Sequence, residues 1–178
     1  GDYFQFITRD GIDELPLEKE VKHARTYTEI QAFRFGSRIR SEFGDLPAGL
    51  EGVTVPRLIL QPLIENAYHY GLENKMSDGV IRIGFSVEGL ELSLTVEDNG
   101  DELDDRKLQE LRGMLLDSKD RTESTGLINV HRRLRIKYGQ GSGLQLNRGA
   151  GGGLKAELRI PLRREREDSE HVQIADRG

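Results

Sequence analysis

RLILQPLIENAYHYGLEN, residues 57–74, sets Glu65, Asn66, His69 and Tyr70 inside an otherwise apolar helical pattern. Leu58, Leu60, Leu63, Ile64 and Ala67 recur at spacings of three and four residues, which is the stripe of a helix that faces a core. The pattern predicts a core helix over 57–74, with Pro56 just ahead presetting its first turn. Asn66, His69 and Tyr70 fall three and four residues apart. That spacing predicts one shared polar edge, facing either a ligand or solvent.

Two later segments bear on that edge. The alternating run LELSLTV reads as a strand and leads directly into VEDNGDEL, residues 96–103. STGLINVHRRL, residues 124–134, is a small-residue turn opening a helix. A lone Asp-Asn-Gly is a common turn, but here it closes a strand after an asparagine-bearing helix.

In this order and spacing the segments resemble the GHKL ATPase superfamily, which includes gyrase, Hsp90-type chaperones, histidine kinases and MutL. Within it, YTEIQAFRFGSRI (27–39), LQPLIENAYHYGL (60–72) and GLINVHRRLRIKYG (126–139) are most similar to bacterial sensor histidine kinases of the LytS and YesM type. The resemblance spans residues 2–162. It implies an α+β fold, a two-layer α/β sandwich of the Bergerat type. A mixed, mainly antiparallel sheet would be covered on one face by helices 56–74, 103–116 and 126–138.

The resemblance also implies the chemistry. ATP needs a fixed carboxylate for its exocyclic amine and oxygen ligands for Mg²⁺. Asp98 would take the adenine amine, Asn66 would give its amide oxygen to Mg²⁺, and Glu65 would polarise a nearby water. His69 stands where relatives carry Lys or Arg for a phosphate, and Tyr70 where many carry Tyr or His. Gly100 would let the backbone approach the base. Thr125, Gly126 and Leu127 would open a helix whose amides meet phosphate. The γ-phosphoryl would pass to a histidine on an upstream helix outside this chain, then to an aspartate of a response regulator. Homodimerisation through those upstream helices and an inner-membrane parent, with this part on the cytoplasmic side, are implied too.

Two positions depart from the family pattern. Glu102 replaces the last glycine of Asp-x-Gly-x-Gly, and Ser124 replaces the first glycine of Gly-x-Gly-Leu. Both add side chains where the lid over ATP, within 101–123, would hinge. A nucleotide-binding scaffold without turnover is the alternative reading.

Bulk properties narrow the field further. The 178 residues, 35% hydrophobic and 32% charged, hold enough apolar side chains for one buried domain plus an appendage. A net charge of −5 argues against a general nucleic-acid surface. The basic run Arg132, Arg133, Arg135 and Lys137 reads as a solvated helix face. The absence of cysteine excludes disulfides and thiolate zinc sites, and the four histidines lack metal-ligand spacing.

Along the chain, three parts are expected. Residues 1–36 would be the tail of a dimerisation and phosphoacceptor region, 37–162 the ATP-binding catalytic domain, and 163–178 a disordered charged tail. A helix is expected over 17–34, buried through Leu17, Val21, Ala24, Tyr27, Ile30, Ala32 and Phe33. A strand over 37–43, a hairpin of 80–87 with 90–98, and a final edge strand ending at Pro161 should complete the sheet. The helix over 126–138 should turn Leu127, Val130, Leu134 and either Ile136 or Tyr138 inward.

Overall fold

The computed structural model describes residues 13–116 and 125–162. The expectations for 1–12, for the lid stretch 117–124 with Ser124, and for the tail 163–178 lie outside the described residues.

In chain order the elements are β1 (Glu14–Pro16), α1 (Leu17–Phe35), β2 (Ile39–Phe43), β3 (Thr54–Pro56) and α2 (Gln61–Asn66). The last of these runs on as a π-helical segment, Ala67–Leu72. Then come β4 (Gly79–Glu88), β5 (Glu91–Asp98), α3 (Asp105–Leu116), α4 (Thr125–Tyr138), β6 (Leu144–Arg148) and β7 (Leu154–Pro161). The main sheet has the order β2-β4-β5-β7-β6, with β2 parallel to β4 and every other pair antiparallel. A two-stranded ribbon of β1 and β3 stands beside it. This is the expected α+β sandwich with a mixed, mainly antiparallel sheet.

Period-two burial explains the sheet. Ile81 and Ile83 of β4, Leu92, Leu94 and Val96 of β5, and Leu154, Ala156, Leu158 and Ile160 of β7 all turn inward. The register Ile81↔Asp98 makes the expected central hairpin and leaves Asp98 at the end of β5. One expectation changes: β7 is interior, between β5 and β6, and the edge is β6. Pro161 does not force β7 to an edge, because it is the last residue of the strand.

The helices bring their apolar stripes onto this face. Leu63, Ile64, Ala67 and Leu72 from the second helix, and Leu127, Val130 and Leu134 from α4, join one cluster with the inward strand residues. α1 adds Leu17, Val21, Ala24 and Phe35 to the same cluster, but Ile30 and Phe33 are 60% and 93% exposed, contrary to expectation. The period carries Thr28 inward instead, with its hydroxyl bonded to the Ala24 carbonyl at 2.8 Å. Of the alternatives on α4, Tyr138 packs on the core and Ile136 is exposed.

The core helix starts at Gln61, not at 57. Glu20 of α1 is 2% exposed, and its carboxylate accepts the N–H groups of Leu58, Ile59 and Leu60 at 3.0, 2.9 and 3.0 Å. Leu58 takes φ 55°, so these successive amides curve around an anion. Pro56 belongs to β3, and Pro62 takes the helix-start position. The basic run is also less solvated than expected. Arg133 donates to the carbonyls of Arg57 and Leu58, and Lys137 pairs with Glu14 at 2.7 Å. Among the described residues no helix is long and apolar enough to cross a membrane.

His131 fastens α4 to β6. It is buried, and its Nδ1 accepts the Leu144 N–H at 2.9 Å, which fixes a neutral ring with the proton on Nε2. Burial, then the Arg135 charge on the same helix, holds its pKa below the usual histidine value. A histidine depressed in the folded state gives stability that is present above pH 6.5 and lost as pH falls from there toward the folded pKa. Each tenfold loss of proton affinity on folding bounds the effect at about 1.4 kcal/mol. Urea midpoints should therefore fall more steeply from pH 7.5 to 5.5 in the wild-type chain than in His131→Gln.

Candidate functional site

A cleft of about 330 Å³ opens between the second helix, the end of β5 and α3. Asn66, Tyr70 and Gly71 form one wall, Asp98 and Gly100 the floor, Glu102, Leu103, Asp104, Lys107 and Leu111 the other wall, and Leu154 the back.

The three residues that end β5 each fix a different neighbour. Glu97 accepts the Ala150 N–H at 2.7 Å and so holds the β6–β7 turn. Asn99 accepts the Val80 N–H at 2.7 Å and donates to the Asp78 carbonyl at 2.8 Å, tying down the start of β4. Asp98 points into the cleft and is 4% exposed. Its Oδ1 accepts the N–H groups of Gly100 at 2.9 Å and Leu154 at 3.4 Å. Burial raises its pKa above the usual aspartate value, and these two backbone bonds offset only part of that rise.

Asp98 fits only because glycines surround it. A Cβ on Gly71 would stand 2.6 Å from the Asp98 Cγ and Oδ2. One on Gly153 would overlap the Asp98 carboxylate and carbonyl, and one on Gly100 would overlap the Gly71 backbone. The π-helical turn that carries Gly71 brings its backbone against the carboxylate, a deformation that recurs at functional sites.

The residues predicted for one polar edge are divided. Asn66 and Tyr70 line the Asp98 cleft. Glu65 and His69 line a separate cleft of about 200 Å³ with Tyr27, Gln31, Arg34, Phe35, Tyr68 and Glu73. His69 faces Glu73 at 3.3 Å, and Glu65 accepts from Gln61 at 3.0 Å. Each pair, Asn66 with Tyr70 and Glu65 with His69, is four residues apart, so neighbouring positions on the helix fall to different clefts. Gly126 meets Pro62 at the start of the second helix, where a Cβ would stand 3.8 Å from that ring. Leu127 is buried in the core, and Thr125 begins α4.

Sequence reasoning missed Gly71, Lys107 and the apolar contribution of Leu103, Leu111 and Leu154. Gly71 was legible only as a glycine in a helical pattern, a position that already costs stability and asks for a reason. The wall that carries Lys107 is built by Asp104, which caps α3 by accepting the Lys107 N–H at 2.7 Å. Arg148 holds this corner by donating to the Leu103 and Gly152 carbonyls at 2.8 and 2.9 Å and to Asp105 at 2.9 Å.

A buried strand-end carboxylate, an asparagine-bearing helix facing it and a helix-walled cleft over a mixed sheet make a two-layer α+β domain with a polar-floored cleft. Residues 53–164 match the model of the histidine kinase-, DNA gyrase B- and HSP90-like ATPases, and the chain belongs to this family as a catalytic domain of the LytS/YesM type. It is 31% identical to the sensor histidine kinase YesM of Bacillus subtilis (strain 168), over 90% of this chain and 27% of that protein. It is 27% identical to the sensor protein LytS of the same strain, over 89% of this chain and 26% of that protein. The chain thus spans about a quarter of the length of these curated relatives. In fold it is similar to histidine kinase ThkA, solved in complex with response regulator protein TrrA. The TM-score is 0.58 at 16% identity, covering 85% of this chain and 42% of that one.

Gly71→Ala drives a methyl group into the Asp98 carboxylate and should cost about 1–3 kcal/mol, the range for overpacking. Urea denaturation measures this loss. The same substitution at Gly113, inside α3 with open space around its Cα, should instead raise stability by up to about 1 kcal/mol, because alanine is the better helix former.

Proposed function

We propose that this chain is the ATP-binding catalytic part of a two-component sensor histidine kinase. The observation that carries the reading is the Asp98 carboxylate, buried in a cleft and engaged by described residues only at Oδ1. Oδ2 then accepts the adenine amine, while Leu103, Leu111 and Leu154 offer apolar contact to the ring. Asn66 points its amide into the same cleft as an oxygen ligand for Mg²⁺. Among the described residues no group of three or more His, Asp or Glu side chains converges on a metal position. That suits Mg²⁺, which is held by few protein ligands together with phosphate oxygens.

When bound, Mg-ATP supplies the γ-phosphoryl group. The chain's own part is to bind, orient and neutralise: Asp98 and Gly100 fix the base, Tyr70 covers it, and Asn66 sets the phosphate end. The acceptor is a histidine on an upstream helix, and the phosphoryl passes from there to an aspartate of a response regulator. Within this reading residues 1–36 form the tail of the dimerisation region, 37–162 the catalytic domain and 163–178 a charged tail. The parent is a homodimer at the inner membrane with this part in the cytoplasm. Glu65 and His69, on the other side of the helix, act on the acceptor side rather than on the base.

Asp98→Asn should weaken Mg-ATP binding by about 1.5–3 kcal/mol, the worth of a hydrogen bond to a charged group. The same change removes a buried charge and should leave stability unchanged or raised. Titration calorimetry with equal affinities for the two chains removes Asp98 from the site.

A scaffold without turnover is the second reading, and Glu102 favours it. Its carboxylate lines the cleft mouth and accepts from Asn74 at 3.4 Å, where phosphates would approach. Glu102→Gly should tighten ATP more than adenosine, because only ATP brings negative charge to that wall. Equal tightening of both ligands, or none, shows that the carboxylate does not act on the phosphates.

A further inference from the structure

The loop that opens the second helix does not choose its own conformation. Leu58 is left-handed without being glycine, and Leu60 has no side-chain cap. The apolar period of RLIL would continue a helix backward from Gln61. What holds the loop open comes from two distant elements. The Glu20 carboxylate takes the amides of Leu58, Ile59 and Leu60 from one side, and the Arg133 guanidinium takes the carbonyls of Arg57 and Leu58 from the other.

We infer that Glu20 is a positioning residue for the nucleotide cleft: it sets where the second helix begins, and through that start it keeps Asn66 and Tyr70 facing Asp98. The argument is geometric. Loss of the carboxylate leaves three amides, two of them buried, without acceptors, and the loop must shift to find others. Pro62, tolerated at a helix start and not in its interior, keeps 57–60 from winding onto the helix, so the shift is passed to the helix start and draws Asn66 along. Gly71 then no longer sits against Asp98, since that contact has no slack for a Cβ. Because Glu20 belongs to α1 and Arg133 to α4, a displacement of either helix reaches Asn66 by the same loop. The inference rests on the ATP reading only for the ligand, because the setting of the helix against Asp98 is a property of the protein alone.

The test uses the 178-residue chain with Glu20→Gln, which keeps the size and one acceptor, and Glu20→Asp, which keeps the charge but withdraws it by one methylene. Val21→Ala, a core truncation on the same helix, is the control for stability loss alone. Amide hydrogen exchange should show protection lost at 58–60 and altered through 61–72 in Glu20→Gln, with β5 unchanged and Glu20→Asp between it and wild type. Mg-ATP affinity should fall about tenfold or more in Glu20→Gln, the scale for displaced supporting groups, and less than about twofold in Val21→Ala. If Glu20→Gln does not fold, Glu20→Asp carries both measurements. Unchanged exchange across 61–72 in a folded Glu20 variant overturns the positioning role whatever ATP does. Equal ATP loss in Val21→Ala overturns it in favour of plain stability. A wild-type chain that does not bind ATP overturns the functional reading, and the exchange result still decides the positioning.

Discussion

Burying the Asp98 carboxylate constrains everything around it. It is 4% exposed and its pKa is raised, so folding works against its charge. The protein tolerates this by bringing three chain segments against it with no side chains between them: Gly71 from the π-helical turn, Gly100 beyond β5 and Gly153 from the β6–β7 turn. The separation of the second helix from the sheet is set by that contact. With Glu97 holding the β6–β7 turn and Asn99 holding β4, the end of β5 is the junction through which sheet and helix layers are registered.

The second helix answers this constraint at both of its ends. Its start is drawn out of helical geometry by Glu20, and its last turn is widened after Asn66. Between them only a short regular α-helical segment remains, and it carries Asn66. The widened turn carries Gly71 against Asp98, while His69 on the neighbouring helical row faces Glu73.

Much of this was legible. The hairpin of β4 and β5, the helix over 126–138 and the position of Asp98 at a strand end follow from period-two and helical patterns with turn residues between them. Glu20 was not legible, because a glutamate in the first turn of a helix is expected to face solvent and favour the helix dipole, and its partners lie 38 to 40 residues away. Gly71 was not legible either, because what demands it is a contact with Asp98 that only the tertiary structure brings. The interior place of β7 escaped notice because a terminal proline suggests an edge, whereas β6 pairs only as far as Leu158 and the proline is simply the last residue opposite β5. His69 lines the second cleft with Glu65, four residues before it, a grouping as compatible with helical spacing as the one with Asn66.

Glu20 and Asp98 invite comparison, since both are nearly buried acids met by backbone amides rather than by Lys or Arg. Glu20 uses both oxygens, with Oε1 on Leu58 and Oε2 on Ile59 and Leu60. Asp98 receives both of its described bonds on one oxygen, and the longer of them, 3.4 Å, is weak. An acid saturated by the backbone is a structural clamp, because nothing remains for a ligand to take. An acid left half engaged at the floor of an apolar-walled cleft costs stability that the fold does not recover by itself. On the proposed reading the donor that recovers it is the ring amine of the nucleotide, for which a cleft walled by Leu103, Leu111 and Leu154 has the shape and polarity.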